Sequence, residues 1–207
     1  MMLRIGLTGG IASGKSTVAA LLRDRDCPVL DADVLTHELL EPGQAAYDEV
    51  LREFGPGILT SSKTVDRRKL GAIVFADSAR RARLNQIMHP RIQQVARNWF
   101  SALERSEGPE FAFEDAALIL EAGAKKLFNR VVVCWCLPEQ QIKRLMARGL
   151  TLDDAQKRIA SQMPIDEKRK LADDVIDCSA TIRETEHQVD ALVLKLKHLA
   201  ALARNGS

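Results

Sequence analysis

The feature that most constrains this chain is the run Gly9-Gly10-Ile11-Ala12-Ser13-Gly14-Lys15-Ser16, set between an apolar segment and a helical one. It fits the pattern G-x-x-x-x-G-K-[ST], in which each fixed position has a physical task. Gly9 and Gly14 lack a Cβ, so the backbone can turn tightly and bring its N–H groups against phosphate oxygens. Lys15 places a cation near the outer phosphates of a nucleoside triphosphate. Ser16 offers a hydroxyl to Mg²⁺, which takes few protein ligands and keeps waters and phosphate oxygens for the rest. The helix that begins here points its positive end at the same anion. Ordinary residue frequencies produce the bare pattern in on the order of one random chain in a hundred. A preceding strand and a following helix lower that further. The plain alternative is a glycine-rich turn with an exposed lysine.

The surroundings supply that context. Leu3-Arg4-Ile5-Gly6-Leu7-Thr8 is short, apolar and stopped by glycine, the pattern of a buried strand. Residues 16–25 follow with Val18, Leu21 and Leu22 at helical spacing. Cys27-Pro28-Val29-Leu30 predicts a second strand ending at Asp31-Ala32-Asp33, and the opening is therefore a strand, loop, helix and strand of a parallel α/β sheet. From Val34 to about Glu107 the pattern is mainly helical, with breaks expected at Glu41-Pro42-Gly43, at Phe54-Gly55-Pro56-Gly57 and at His89-Pro90. That stretch is too long for a crossover and reads as a helical insertion that holds a second substrate. Further strands are predicted over 111–120, 130–137 and 174–176, a charged helix pair from Pro138 to about Pro164, and a closing helix through Val189, Leu192, Val193 and Leu196.

Composition excludes several classes. Thirty Lys and Arg against 28 Asp and Glu leave a net charge of +2, too balanced for general nucleic-acid or membrane affinity. At 207 residues the chain can bury a proper core, and one α/β domain with insertions suits the length. Cys27, Cys134, Cys136 and Cys178 show neither zinc nor disulfide-framework spacing, so reduced, buried thiols are expected. No charged leader with a long apolar stretch precedes the first strand, and a cytoplasmic location is the expectation.

Asp31 and Asp33 follow the second predicted strand, where open α/β sheets place their ligand crevice. Phosphoryl transfer to an alcohol needs a group that orients the hydroxyl and accepts its proton, and an ionised carboxylate does both. Asp33 is the candidate base, with Asp31 beside it. Either could equally cap a helix starting at Val34. Asp115 and Glu121 are weaker candidates, near another strand end, where ordinary solvated loop charges are also common.

Taken together, Gly6-Leu7-Thr8-Gly9-Gly10, Ser13-Gly14-Lys15-Ser16-Thr17, Asp31-Ala32-Asp33 and Glu41-Pro42-Gly43 resemble the dephospho-coenzyme A kinases in order and spacing. Phe54-Gly55, Ile58-Leu59, Arg67, Leu70, Phe75 and His89-Pro90 with Ile92 resemble that family's helical substrate domain. Gln141, Arg144, Leu145 and Arg148, then Arg158, Gln162, Ala172-Asp173 and Val175-Ile176-Asp177, resemble its lid and final strand. The resemblance implies a P-loop NTPase-type α/β fold, a parallel sheet flanked by helices. Its core would be 1–34, 110–137 and 170–207, with a helical CoA-binding insertion at 35–109 and a lid at 138–169.

The implied reaction is ATP- and Mg²⁺-dependent phosphorylation of the ribose 3′-hydroxyl of dephospho-CoA. ATP contacts would come from Gly9, Gly10, Ile11, Ala12, Ser13, Gly14, Lys15, Ser16 and Thr17, with Arg144 and Arg148, and the metal contact from Ser16. Thr8, Asp33, Arg67, His89 and Leu118 would meet dephospho-CoA, and Asp33, Lys15 and Arg144 would carry the chemistry. Arg144 and Arg148 share a helix face at a spacing of four, which suits phosphate contact but also an ordinary solvated basic face. Several positions depart from the family's habit. Ala12 stands where Gly is frequent, a mild change at a non-obligatory loop position. Ser62-Lys63 replaces an Asp-Gly turn, Ala117 replaces a proline, and Cys178-Ser179-Ala180 stands where Asn and Gly are typical near the adenine.

Other readings stay open at this point. A kinase of a nucleoside, nucleotide or sugar would share the loop and the base. A GTP-dependent switch is disfavoured, because the chain has neither D-x-x-G nor N-K-x-D. A binding module without turnover is disfavoured by the set Lys15, Ser16, Asp33 and Arg144.

Overall fold

The computed structural model describes residues 2–106 and 108–205; Met1, Glu107, Gly206 and Ser207, which mark ends of the expected segments, lie outside the described residues. Two compact units emerge: Met1–Asp31 with Ala102–Ser207, and Ala32–Ser101. The expected cuts at 34/35 and 109/110 fall three and eight residues later than these.

The first unit is built on five parallel strands: β1 (Leu3–Gly9), β2 (Val29–Asp31), β3 (Phe111–Asp115), β4 (Arg130–Trp135) and β5 (Asp174–Asp177), in the order β2-β3-β1-β4-β5. Parallel strands need helical crossovers, and these cover both faces. On one face α1 (Lys15–Arg23) and α9 (Ile182–Asn205) pack Val18, Leu22, Val189, Leu192 and Leu196 against Ile5, Leu7, Phe111 and Phe113. On the other, Ile119, Leu120 and Ile165 cover Val131, Val133 and Trp135. Gly6 has a specific reason to lack a side chain, because a Cβ there would stand 3.0 Å from Ile119 Cδ1. The four cysteines are free and buried, as expected.

Helices α6 (Pro138–Ala147) and α7 (Leu152–Ala160) match the expected pair, and α8 (Ile165–Leu171) adds a third short helix, so the expected lid edge at 169 falls inside a helix. Caps explain several starts. Thr151 accepts from the Asp154 N–H at 3.1 Å, and at the head of α9 Thr181 and Glu184 form a reciprocal capping box.

The second unit contains α2 (Ala32–Glu38), α3 (Tyr47–Phe54) and α4 (Arg67–Ala76), with most of α5 (Ser78–Arg105). Its own core gathers Leu35, Leu39, Val50, Ile58, Leu70, Ile87 and Met88. The breaks expected at Pro42-Gly43 and Gly55-Pro56 are present. The break at His89-Pro90 is not: α5 runs through Pro90 as one 28-residue helix. Apolar residues on both sides of Pro90, among them Ile87, Met88, Ile92 and Val95, pack into one core, and that burial outweighs the missing N–H. Arg91 also donates from its guanidinium to the Ile87 carbonyl at 2.6 Å.

Two expected strands are shorter than predicted. β3 stops at Asp115 rather than residue 120, because 116–123 turn over the sheet to bury Ile119 and Leu120. β4 stops at Trp135, after which Leu137 is exposed and Pro138 opens α6.

Candidate functional site

The Gly9–Ser16 run forms a closed loop from the end of β1 into α1. Ser13 N donates to Gly10 O at 3.1 Å, and Thr17 and Val18 begin the helix by donating to Gly14 O at 3.0 and 3.1 Å. The glycines are sterically demanded. A Cβ on Gly9 would lie 2.8 Å from the Cys134 carbonyl, and one on Gly14 would lie 2.8 Å from Cys178 Cβ, at a φ of +107° that side chains avoid. Ala12 also sits at positive φ, +58°. The change from glycine at this position is therefore not the mild one expected from sequence, since alanine carries a backbone penalty in the left-handed region. Ser13 is fully buried, and its hydroxyl has no hydrogen-bond partner among the described residues. An unsatisfied buried hydroxyl inside such a loop is what an incoming oxyanion or water would satisfy.

Lys15 Nζ meets Asp115 Oδ1 at 2.5 Å, where the carboxylate is almost wholly buried at the end of β3. Asp115 is therefore not the solvated loop charge that sequence allowed. Nor is Glu121, which pairs with Lys168 Nζ at 2.8 Å and accepts from the Met163 N–H at 3.1 Å. Lys168 went unnoticed in sequence, as one lysine in a basic helix. In the fold it is 0% exposed and donates to Gly9 O at 3.1 Å and Ala117 O at 2.7 Å. Burial lowers its pKa, opposed by Glu121 and assisted by the Lys15 charge. The only signal in sequence was its spacing of three from Ile165, which places both on one buried helix face.

The 138–169 segment grips the same loop. Gln141 Nε2 donates to Ile11 O at 2.6 Å, Gln162 Oε1 accepts from Ile11 N at 2.7 Å, and Arg144 donates to Ala12 O at 3.1 Å and Cys178 O at 2.6 Å. Arg144 is thus half-buried against backbone carbonyls rather than part of a solvated face. A cavity of about 220 Å³ opens here, lined by Ala12, Gly14, Ser16, Thr17, Arg144, Arg148, Cys178, Ala180, Ile182 and Thr185. Cys178 and Ala180, two of the unusual positions, therefore form part of its wall. The Cys178 thiol is pulled below its ordinary pKa by a hydrogen bond from Cys134 and by the nearby Arg144 charge, while burial pushes Cys136 up to about 11.

The remaining expected residues are placed as follows. Thr8 is fully buried, and its hydroxyl donates to Ala117 O at 3.0 Å, which anchors the strand end. Leu118, one residue on, is 37% exposed. Asp33, Arg67 and His89 belong to the second unit. α2 begins at Ala32, not Val34, so Asp33 lies in the first helical turn and Asp31 takes the place just before the helix. Arg67 is the exposed first residue of α4, and burial lowers the pKa of His89 on α5, keeping it neutral at pH 7. The structure thus brings together the loop, Asp115, Arg144 and Arg148, and carries Asp33, Arg67 and His89 on the helical unit.

The family model described as dephospho-CoA kinase matches residues 3–184. A dephospho-CoA kinase of Bacillus licheniformis is 43% identical over 194 residues, covering 93% of this chain and 96% of the relative. The crystal structure of a Thermus thermophilus protein superposes with a TM-score of 0.80 at 33% identity, covering 94% of this chain and 98% of that one. The dephospho-CoA kinase from Campylobacter jejuni superposes with a TM-score of 0.69 at 26% identity, over 95% and 98% of the two chains. With a parallel sheet, a phosphate loop closed onto α1 and these likenesses spanning nearly its whole length, the chain belongs to the dephospho-CoA kinase family.

Proposed function

We propose that this protein transfers the γ-phosphoryl group of ATP to the ribose 3′-hydroxyl of dephospho-CoA, giving coenzyme A and ADP. The observation that carries the reading is the family match over 3–184, joined to a loop whose Lys15 is held by a buried carboxylate. Among alternatives in the same fold class, nothing in the chain favours a nucleoside, nucleotide or sugar as acceptor.

Each residue has a role that its chemistry supports. Backbone N–H groups from Gly9 to Thr17 cradle the phosphates, with the start of α1 aimed at them. Lys15 neutralises charge on the transferring group, and the buried Asp115 carboxylate holds its ammonium at the loop. Arg144 and Arg148 line the nucleotide cavity and add positive charge from the 138–169 segment, which acts as the lid. Asp33 orients the acceptor hydroxyl and takes its proton. The helical insertion at 35–109 holds the CoA moiety, with Arg67 and His89 as contacts, and Leu118 offers an apolar surface.

Mg²⁺ fits the donors present. Ser16, exposed in the first turn of α1, would supply one hard oxygen, with phosphate oxygens and waters supplying the other ligands. The ion would offset phosphate charge when bound with ATP. Among the described residues no helix is long and apolar enough to cross a membrane. Four free cysteines fit a reducing compartment, which supports the cytoplasm as location.

A coupled ADP-release assay with dephospho-CoA beside adenosine, AMP, shikimate and gluconate tests the assignment. Turnover should be confined to dephospho-CoA; preferential turnover of another acceptor would replace the reading.

A further inference from the structure

Lys168 is the most unusual charged residue outside the groups assigned above. Lysine is almost never fully buried unless its charge is paired. An ammonium has three donors, and here all three are used within one polar knot: Gly9 O at 3.1 Å, Ala117 O at 2.7 Å and Glu121 Oε1 at 2.8 Å. Those partners come from different segments. Gly9 ends β1 and opens the phosphate loop, while Ala117 and Glu121 lie in the turn that leaves β3 just after Asp115, the partner of Lys15. Ala117 O also accepts from Thr8, so both strand exits meet on this one carbonyl. Helix α8 is itself fixed to the sheet, because Trp135 Nε1 donates to Asp166 at 2.7 Å and Arg169 lies 4.5 Å over the same ring.

A loop that binds anions through N–H groups must turn its carbonyls elsewhere, or their partial negative charge opposes the ligand. In this chain the carbonyls of Gly9, Ile11 and Ala12 are each held by a side chain: Lys168, Gln141 and Arg144. Of these three holders only Lys168 also grips the turn that follows Asp115.

We propose that Lys168 is the positioning residue of the phosphate site: its buried ammonium holds the Gly9 carbonyl away from the nucleotide and locks the β3 exit, so that Lys15 and Asp115 stay in register with the loop. This rests on the reading of the loop as the ATP site, and it deepens that reading by naming what sets the loop's shape. It also ties α8, at the end of the lid segment, to the loop it closes over.

The test compares Lys168→Met, Glu121→Gln and the double variant with the wild-type protein and with Leu196→Ala, a core truncation in α9 far from this knot in sequence that matches for lost stability. Melting temperature, the dissociation constant of ADP by calorimetry, and kcat and KM are measured well below each variant's melting temperature. Lys168→Met should weaken ADP and raise KM for ATP by about 10- to 100-fold, while KM for dephospho-CoA changes little. Glu121→Gln, the milder change, should shift ADP affinity in the same direction, which keeps the idea testable if Lys168→Met does not fold. The double variant should recover melting temperature, having lost both charges together, without recovering ADP affinity. Leu196→Ala should lose melting temperature and keep its ADP affinity. A double variant or Lys168→Met that binds ADP like the wild type overturns the proposal, as does affinity that merely tracks melting temperature across the set. The ADP measurement does not involve the acceptor, so a wild-type protein that binds ADP but ignores dephospho-CoA would fail the proposed function alone.

Discussion

Lys15 Nζ and Asp115 Oδ1 lie 2.5 Å apart, one at the start of α1 and the other at the end of β3, with the carboxylate side chain 3% exposed. Neutralising a carboxylate that is almost wholly buried and bonded to an ammonium loses a charge-assisted hydrogen bond, so Asp115→Asn should destabilise the fold by about 1–3 kcal/mol. Thermal melting checks this; an unchanged melting temperature would mean that the pair contributes nothing. Lys15→Ala should instead lower kcat by about 10²–10³, the usual loss for one preorganised donor at a transferring group. Steady-state kinetics at saturating ATP decide that point, and near wild-type turnover would remove Lys15 from the chemistry.

Ala12 at φ +58° carries strain that glycine would not. The left-handed conformation costs alanine about 1–2 kcal/mol, and the extra freedom of glycine in the unfolded chain returns about 0.4–1 kcal/mol of that. Ala12→Gly should therefore raise stability by a few tenths to about 1 kcal/mol. Denaturant titration measures it, and a lower midpoint at equal slope would mean that the methyl group makes a contact worth more than the strain.

Asp33 is assigned the proton of the acceptor hydroxyl. Asp33→Asn should lower kcat by about 10²–10⁴ while ligand dissociation constants barely move. Asp31→Asn is the necessary comparison, since Asp31 occupies the place before α2 and Asn caps nearly as well as Asp. A large loss in Asp31→Asn with near-normal turnover in Asp33→Asn would transfer the role to the neighbour.

Glu114 sits in β3 beside Gly6 and Leu30, and burial raises its pKa from 4.5 to about 7. Below about pH 4.5 the carboxyl is neutral in both folded and unfolded chains, and its burial is unpenalised. Between about pH 4.5 and about 7 the unfolded chain has released this proton while the folded protein still holds it, so stability falls across that window and is level above it. Glu114→Gln should melt like the wild type near pH 5 and be more stable at pH 8.5 by about 1–3 kcal/mol. Equal melting temperatures at both values would show that the carboxyl is solvated after all.

By itself, the sequence determined the loop and its neighbours, because their chemistry is local. Gly9, Gly14, Lys15 and Ser16 act through backbone freedom and fixed spacing, and the apolar runs around them mark strand and helix without reference to the rest of the chain. The order of strands and helices, the breaks at Pro42-Gly43 and Gly55-Pro56, and the buried thiols were legible for the same reason. Tertiary structure decided whatever depends on partners distant in sequence. Pro90 stays inside α5 because residues on both sides share one core, which local propensity does not register. Asp115 becomes the buried partner of Lys15, Glu121 the partner of the buried Lys168, and Thr8 an anchor, only when β3 is laid beside β1. Lys168 looks like any solvated helix lysine until α8 turns it into the sheet, 159 residues from the Gly9 carbonyl that it holds. Burial gives a charge its weight, and burial is a property of the assembled fold.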